Sequence, residues 1–350
     1  MFVIFLVMLV FLGNTAEAHV NLTNNIINEV VPQGVVLKKC DCGYGVFATQ
    51  PFKAGEIVYK HHYKVISEQE EYFKLRIEQG DFELNVTTHS VGLGDGARAL
   101  YIFDSFMNHS CDPNTYSFND DEMIKNCEYL QIATKDINIG DEITCDYNLF
   151  DYDCSDKNIT NCYCKSPNCR KEIKGFKWLP FDEQIKLLPQ IDAYTLNQFL
   201  ADHPEILYFD LQVPANLEIA KDRGHFKIVS LREFQPGEII YTNQTLTFKD
   251  DKLILTHYKN DFVLINNISH TINKGDSLRE FFYFDSFMNH SCDPNTITFY
   301  TSENHYEGRA LRPISIGDEL TCDYEVFDLQ ADGEGFQCQC GAANCRGHVY

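Results

Sequence analysis

Cysteine spacing is the sequence feature that points most directly to chemistry. The pattern Cys-x-Cys-x4-Cys occurs twice in this chain of 350 residues, and a further cysteine precedes each occurrence. Three thiolates are one short of the tetrahedral shell of a structural zinc ion, and the preceding cysteine supplies a fourth. The two predicted four-cysteine zinc sites are Cys111, Cys162, Cys164 and Cys169, and Cys292, Cys338, Cys340 and Cys345.

Each predicted zinc site has an alternative. A closed shell of four thiolates leaves no open coordination position, so the zinc would be structural rather than catalytic. Two disulfides in place of each zinc would suit an oxidising compartment. The recurrence of all four positions in both halves of the chain favours a shared role for each set over incidental thiols, and both interpretations stay open here.

An internal repeat organises the chain. Residues 103–115, Phe-Asp-Ser-Phe-Met-Asn-His-Ser-Cys-Asp-Pro-Asn-Thr, recur unchanged at 284–296, an offset of 181 residues. Other pairs keep nearly this offset, among them Gly45 with Gly224, and residues 140–147 with 317–324. The period is much longer than that of solenoid repeats, so we expect a tandem duplication of a domain with its own core.

Each copy is predicted to be mainly β. Short runs that alternate apolar and polar residues lie at 45–49, 57–60 and 130–134, and Gly, Pro and Asn-Asp clusters separate them. This pattern is typical of strands and turns. One helix is predicted in the first copy, because Ser67 and Glu70 form a capping box ahead of Tyr72.

Helical spacing returns between the two copies. Residues 181–188 and 192–200 carry it, Pro189 interrupts it, and Pro204 marks its end. The predicted organisation is a signal peptide followed by two units that a helical connector joins. Its boundaries are 1–18 for the signal peptide, 30–175 for the first unit, 176–208 for the helical connector and 209–348 for the second unit.

Charge restricts the choice of partner. The chain has 29 Lys and Arg against 51 Asp and Glu, for a formal net charge of −22. Such a surface repels the phosphate backbone that dominates nucleic-acid affinity, so direct binding of DNA or RNA is not expected. The same field attracts a lysine-rich protein or peptide.

The motifs in their order resemble the SET domain with its post-SET zinc segment. They are Gly-Tyr-Gly at 43–45, Asn-His-Ser-Cys at 108–111, Gly-Asp-Glu-Ile-Thr-Cys-Asp-Tyr at 140–147 and the terminal cysteine pattern, and the last three recur in the second copy. The resemblance covers 30–175 and 209–348. It implies two mainly β SET domains, with β-clip-like small sheets and knot-like C-terminal threading, that transfer a methyl group from S-adenosylmethionine to a protein lysine such as that of a histone.

The resemblance also implies roles for individual residues. Tyr147 and Tyr324 would be the catalytic tyrosines, each positioning the neutral lysine amine. Without the resemblance, Asn108 and His109 would equally suit a polar pair that satisfies a buried turn. The implied cofactor-binding residues are Gly43, Tyr44, Gly45, Asn108 and His109 in the first copy, and Gly224, Asn289 and His290 in the second.

Two departures from the family pattern bear on activity. Asp222 is aligned with the first glycine of the Gly-x-Gly turn, which favours the first copy as the active one. Cys145 and Cys322 stand where the family usually has Phe or Tyr, two residues before each tyrosine. A smaller side chain leaves more room for a methylated amine, so we expect multiple methylation; a buried cysteine that simply packs is the alternative.

Two other kinds of function compete with the enzyme. One is a module that binds peptide or cofactor without turnover, and the other is a secreted, disulfide-stapled glycoprotein. An apolar run at 2–12 and Ala-Glu-Ala at 16–18 resemble a signal peptide, and seven Asn-x-Ser/Thr sequons occur. A secretory location is therefore expected first, with a nuclear or cytoplasmic one as the alternative, and no transmembrane segment is expected in the mature chain.

Overall fold

The fold consists of two compact units of one design. This computed structural model describes residues 26–40, 43–94, 96–154, 161–222, 225–326 and 335–349. The chain divides into Met1–Phe199 and Leu200–Tyr350. The proposed signal segment, residues 1–18, lies outside the described residues.

Short strands dominate the first unit, because most of its segments alternate a buried and an exposed side chain. The elements are β1 Ile26–Asn28, β2 Val35–Cys40, β3 Gly43–Ala48, β4 Ile57–His62, β5 Lys64–Ser67, β6 Tyr72–Ile77, β7 Gly80–Asn85, α1 Val86–His89, β8 Val91–Gly94, β9 Ala97–Leu100, β10 Asn108–His109, β11 Thr115–Phe118, α2 Asp121–Lys125, β12 Glu128–Ala133, β13 Glu142–Cys145, α3 Phe181–Leu187 and α4 Ala193–Asp202, the last of which continues into the second unit.

The second unit repeats this succession. Its elements are β14 Ile206–Asp210, β15 Leu217–Asp222, β16 His225–Ser230, β17 Ile239–Gln244, β18 Leu246–Lys249, β19 Leu253–Tyr258, β20 Asp261–Ile265, α5 Asn267–His270, β21 Ile272–Gly275, β22 Leu278–Phe281, β23 Asn289–His290, β24 Thr296–Ser302, β25 His305–Ala310, β26 Glu319–Cys322, β27 Phe336–Gln337 and β28 His348–Val349. The mainly β fold expected from the sequence is confirmed.

Four small sheets recur in both units among the described residues. In the first unit the strand orders are β1-β6-β7, β2-β3-β13-β10, β4-β12-β11 and β5-β9-β8. In the second they are β14-β19-β20, β15-β16-β26-β23, β17-β25-β24 and β18-β22-β21. The sheet that carries the Asn-His segment is therefore built in the same way twice.

The core of each unit is apolar and well covered. In the first, Val46, Phe73, Leu75 and Tyr129 are each 1 % exposed or less. Full burial of one such large side chain stabilises a fold by about 1.5–3 kcal/mol. This packing fixes the short strands on which the site residues lie.

The helix predicted after Ser67 is wrong. Residues Tyr72–Ile77 form β6, in which Phe73, Leu75 and Ile77 are buried and the residues between them are exposed. The apolar residues recur with a period of two, which places them on one face of a strand, and this outweighs the local capping pattern.

Helices do occupy the region between the cysteine pattern of the first copy and the second copy. Phe181–Leu187 and Ala193–Asp202 are α-helical, and a 3-10 turn at Leu188–Gln190 contains Pro189. Phe199 is fully buried and contacts the rings of Phe176 and Phe181. These helices therefore pack largely with the first unit. Among the described residues, no helix combines the length and apolar character that crossing a membrane requires.

Candidate active site and cysteine centres

One parallel strand pair forms the centre of the first unit. β10 lies beside β13, so that Asn108 pairs with Thr144 and His109 with Cys145. Directly after β13 the chain enters a 3-10 helix that begins at Tyr147. The pairing therefore brings the Asn-His segment and the tyrosine, which lie in separate sequence motifs, next to each other.

The Asn108 side chain fastens this pair to the β2-β3 hairpin. Its amide donates to Oε1 of Glu142 at 2.7 Å and to the carbonyl of Tyr44 at 3.2 Å. A Cβ atom on Gly45 would lie 2.5 Å from that same Oε1 atom. A side chain at Gly45 would therefore push the end of the Glu142 side chain aside.

The turn at Gly43 presents bare backbone to an open space. Its φ of +112° lies in the region that only glycine adopts easily, and no atom of the described residues lies within 4 Å of the position a Cβ would take. A ligand can thus approach the main chain closely at this point, which fits the adenosyl cofactor that the sequence resemblance implies.

Tyr147 lies in the wall of an open cleft, together with Tyr101, Cys145 and Phe150. Its hydroxyl donates to the carbonyl of Met107 at 2.7 Å, and its backbone N–H donates to Nδ1 of His109 at 3.1 Å. Burial raises the pKa of the Cys145 thiol well above its usual range, so this side chain is uncharged. The cleft combines a fixed phenol with a largely apolar wall.

The predicted zinc ligands of the first unit come together. Sγ of Cys111 lies 3.8 Å from Sγ of Cys162, and Cys164 and Cys169 pack against them as unbridged thiols. Ligands held about 2.3 Å from a zinc ion at tetrahedral angles lie about 3.8 Å apart, so the observed spacing fits that ion. The donor set therefore suits zinc.

Backbone N–H groups point at the sulfurs, as expected around thiolates. Cys111 donates to Sγ of Cys164 at 3.5 Å, and Arg170 donates to Sγ of Cys111 at 3.4 Å. Although burial opposes ionisation, the N–H groups of Cys111 and Ser166 bring the pKa of Cys164 down to about 7. Burial instead raises the pKa values of Cys111 and Cys162, so the backbone N–H groups favour negative sulfur at Cys164 in particular.

His109 also lies within ligand range of these sulfurs, which sequence reasoning did not anticipate. Its Nε2 atom is 3.2 Å from Sγ of Cys111, and His109, Cys111, Cys162 and Cys164 lie within 4.8 Å of one another. Burial lowers the pKa of His109, so the ring is neutral. Because Nδ1 accepts the N–H of Tyr147, the ring proton belongs on Nε2, which then donates to Cys111 instead of binding metal. This assignment favours Cys169 as the fourth ligand.

An arginine that sequence reasoning missed ties the cysteine segment to the fold. Arg170 bonds Asp146 at 2.7 Å through Nη1 and Glu183 at 3.0 Å through Nε. In the second unit Arg346 bonds both carboxylate oxygens of Asp323 at 2.6 and 2.8 Å. The available signal was the Cys-Arg dipeptide that ends both cysteine patterns.

The second unit reproduces most of this geometry. Asn289 bonds Glu319 at 2.7 Å and the carbonyl of Phe226 at 3.1 Å, and the Tyr324 hydroxyl donates to the carbonyl of Met288 at 2.7 Å. Its sulfurs match as well. Sγ of Cys292 lies 3.7 Å from Sγ of Cys338, with Cys340, Cys345 and His290 beside them.

The second unit differs from the first at the turn that contains the glycine motif. Gly224, one of the expected cofactor residues, lies outside the described residues. Strand register nevertheless corrects the sequence pairing of Gly45 with Gly224. Asn108 bonds the carbonyl of Tyr44, and Asn289 bonds that of Phe226, so Phe226 takes the place of Tyr44.

The residues on either side of Phe226 follow from this register. Cys40 pairs with Gly43 across the first hairpin, and Asp222 pairs with His225 across the second. His225 and Lys227 therefore stand at the positions of Gly43 and Gly45. The sequence comparison missed this because it matched glycine to glycine instead of matching the hydrogen-bonded strands.

Comparison with known families agrees with this repeat. The model of the SET domain matches residues 43–148 and 220–325, which together exceed half of the chain. The chain belongs to the SET domain family. Both stretches contain an Asn-His-Ser-Cys segment and the tyrosine that follows β13 or β26.

Several curated proteins are similar to parts of this SET chain. The probable histone-lysine N-methyltransferase set-23 of Caenorhabditis briggsae is 28 % identical over 167 residues, 42 % of this chain and 64 % of that protein. The H3 lysine-36 specific histone-lysine N-methyltransferase of Saccharomyces cerevisiae is 31 % identical over 169 residues, 44 % of this chain and 20 % of that protein. The chain thus spans less than two thirds of either relative.

A solved structure adds little to these findings. The Plasmodium falciparum putative histone methyltransferase PFL0690c is 19 % identical and covers 32 % of this chain and 95 % of that one. Its TM-score is 0.24, so the superposition does not inform the fold.

Proposed function

We propose that this chain is an S-adenosylmethionine-dependent protein-lysine N-methyltransferase and that its first SET unit performs the reaction. The observation that carries the proposal is the combination, in that unit, of the open glycine turn at Gly43 with the cleft that contains Tyr147. Family membership and the printed activities of the relatives support the same assignment.

Each residue of the first unit has a defined task in this proposal. S-adenosylmethionine supplies the methyl group when it is bound. Gly43, Tyr44 and Gly45 offer main chain to this cofactor, Asn108 holds their hairpin in place, and His109 orients the peptide of Tyr147. The fixed phenol of Tyr147 aligns the lysine amine, since alignment is the main requirement of a displacement at a methyl carbon.

The cleft also supplies the second requirement, an uncharged amine. Tyr101, Phe150 and the neutral thiol of Cys145 form an apolar part of its wall, beside a charged part that contains Asp104 and Asp151. Removal of water disfavours the ammonium form and so lowers the pKa of the lysine amine. The small side chain of Cys145 leaves room for a methylated amine, which supports more than one round of methylation.

We propose that the second unit binds a peptide or has a structural role and does not catalyse methyl transfer. Lys227 occupies the position of Gly45, and His225 occupies the position of Gly43. A long side chain at the first position and a ring at the second narrow the approach to the turn. This is the specific observation that favours the binding-module function for the second copy.

Zinc is proposed to hold the terminal segment of each unit through the eight cysteines named above. The thiols carry no disulfide, and their spacing fits tetrahedral ligands. Reduced thiols favour a compartment that is not oxidising. Together with the histone activities named for the relatives, this supports the nuclear or cytoplasmic alternative over the secretory one, with a histone as the proposed substrate.

The stoichiometry of cofactor binding tests the assignment to one unit. Calorimetric titration of the full chain with S-adenosylmethionine should give one site per chain, and recombinant histone octamers should acquire label from a radioactive methyl donor. Two cofactor sites of equal affinity would contradict the restriction of cofactor binding to the first unit. A chain that binds the cofactor and labels no histone or lysate protein would contradict the enzyme.

A further inference from the structure

A half-buried carboxylate lies in the wall of the cleft, and the proposed function leaves it without a role. Asp104 begins the 3-10 helix Asp104–Phe106 and lines the same cleft as Tyr147 and Cys145. It lies three residues before Met107, whose carbonyl accepts the hydroxyl of Tyr147. The acid is therefore placed beside the proposed catalytic tyrosine by one short piece of chain.

Two tyrosines orient this carboxylate. The hydroxyl of Tyr59 donates to Oδ1 at 2.6 Å, and that of Tyr129 donates to the same atom at 2.9 Å. Both tyrosines are fully or almost fully buried, so their rings hold the hydroxyls in place. Among the described residues no donor reaches Oδ2, which leaves that atom available to a ligand in the cleft.

The surroundings select for a cation. The described wall of the cleft contains two carboxylates, Asp104 and Asp151, and neither a lysine nor an arginine. His89 also lines it, and burial lowers the pKa of that imidazole, which keeps it neutral. A charged amine that enters such a cleft meets these acceptors. The guanidinium of Arg98 lies behind the wall, where it donates to Oγ and the carbonyl of Ser90 at 2.7 and 2.6 Å.

Burial raises the pKa of Asp104 to about 6, although the bonds from Tyr59 and Tyr129 and the charge of His61 oppose the rise. The other titratable groups around it are the hydroxyls of Tyr101 and Tyr147 and the Cys145 thiol. The pKa values of Tyr101 and Cys145 are raised by burial. Near neutral pH Asp104 is therefore mostly ionised, yet a better proton acceptor than an exposed aspartate.

We propose that Asp104 is a catalytic residue that binds the ammonium group of the substrate lysine through Oδ2 and accepts its proton. This inference rests on the proposed function. The N–H bond of the ammonium breaks and an O–H bond forms on Asp104. The freed nitrogen lone pair then forms the N–C bond while the S–C bond of the sulfonium donor breaks, and sulfur keeps that electron pair. The proton on Asp104 passes to solvent.

The second unit provides a matched comparison. Asp285 occupies the same repeat position, and the hydroxyls of Tyr241 and Tyr306 lie near enough to lower its pKa. Tyr306 nevertheless donates to the carbonyl of Phe282, and neither hydroxyl has hydrogen-bonding geometry to the buried Oδ1 of Asp285. Burial raises its pKa to about 8, so it is mostly protonated near neutral pH. It lacks the oriented charge that Asp104 has, in agreement with the assignment of catalysis to the first unit.

The test compares the full chain with its Asp104→Asn and Asp285→Asn variants. We expect Asp104→Asn to lower kcat/KM for histone octamers by roughly 100-fold, the lower end of general acid-base effects. Its rise of rate with pH near 6 should disappear, while calorimetric affinity for S-adenosylmethionine stays within about twofold of the wild type. Asp285→Asn should keep the wild-type pH profile. An Asp104→Asn chain with the wild-type profile would overturn the inference.

A second variant covers the case in which Asp104→Asn misfolds and loses cofactor binding. Tyr59→Phe removes one bond to Oδ1 and leaves the acid in place, so the pKa of Asp104 and the acid limb of kcat/KM should move upward. An unmoved limb would contradict the inference. Failure of the proposed function is a separate outcome, in which the wild-type chain binds the cofactor and labels no protein; the role of Asp104 falls with it.

Discussion

Replacement of Gly45 by alanine tests the geometry of the glycine turn. The new Cβ would lie 2.5 Å from Oε1 of Glu142, whereas ordinary contacts begin near 3.4 Å. The carboxylate must shift, which strains its 2.7 Å bond from Asn108. In the second unit, where Lys227 takes the position of Gly45, Asn289 still bonds Glu319 at 2.7 Å, so the bond can survive such a shift. The backbone at Gly45 itself tolerates alanine, because its φ is not positive.

The magnitude follows from these contacts. A hydrogen bond to a charged group contributes about 1.5–3 kcal/mol. Alanine regains about 0.4–1 kcal/mol by restricting the unfolded chain. We therefore expect Gly45→Ala to lower the free energy of unfolding by at most about 1–2 kcal/mol. We expect it to weaken S-adenosylmethionine binding at least tenfold, because the added methyl group stands on the main chain that the cofactor is proposed to approach.

Chemical denaturation and calorimetry of four chains would measure both effects. They are the wild type, Gly45→Ala, Glu142→Ala and the double variant, which form a double-mutant cycle. Without the Glu142 carboxylate there is no clash, so Gly45→Ala should cost little stability in that background. An equal cost in both backgrounds would refute the steric argument, and unchanged cofactor affinity in Gly45→Ala would refute the placement of the cofactor at this turn.

Two further predictions concern metal and pH. Elemental analysis of the full chain should find two zinc ions. The Cys169→Ser variant should retain one of them, and the His109→Gln variant should retain both. Disulfides without zinc, or a loss of zinc in His109→Gln alone, would contradict the ligand assignment. Burial raises the pKa of Asp285 from 3.8 to about 8, so the folded chain retains a proton there and its stability falls as the pH rises through this interval. A pKa shift is worth 1.36 kcal/mol per unit, so Asp285→Asn should raise the free energy of unfolding by up to about 4 kcal/mol at pH 7 and by little near pH 4. Denaturant titrations at the two pH values would measure this. Equal gains at both would contradict the raised pKa of Asp285.

Sequence reasoning was most successful where local chemistry dictates structure. The cysteine spacing predicted two sulfur clusters, and the repeated motifs predicted two units of one mainly β design. In both cases the signal is a set of residues whose relation is fixed by the chain itself. The family match over both stretches confirms the recognition of tandem SET units.

Sequence reasoning failed where tertiary context decides. The Ser67 and Glu70 pattern suggested a helix, yet the burial of Phe73 and Leu75 on one face makes a strand. Gly224 was matched with Gly45 because both residues are glycines, whereas the hydrogen bond from Asn289 to the carbonyl of Phe226 fixes the register of the strands. The period of two at Phe73 and Leu75 was a local sign of the strand, whereas the register of the second hairpin depends on Asn289, which lies 63 residues beyond Phe226 in the chain.

Asp104 illustrates a third limit. It lies in the repeated motif, but its position gives no sign that Tyr59 and Tyr129 converge on one of its oxygens from two other strands. His109 is a similar case, since the N–H of Tyr147 and the sulfur of Cys111 together decide which of its ring nitrogens carries the proton. Roles of this kind depend on the orientation of side chains and need the structure.

The central claim is that the first unit transfers methyl groups and the second does not. Radiolabelled methyl transfer to histone octamers by the full chain should be lost with Tyr147→Phe and retained with Tyr324→Phe. The two tyrosines donate the same bond to Met107 and Met288, so each variant is the structural control for the other. Transfer that survives Tyr147→Phe and disappears with Tyr324→Phe would contradict the account.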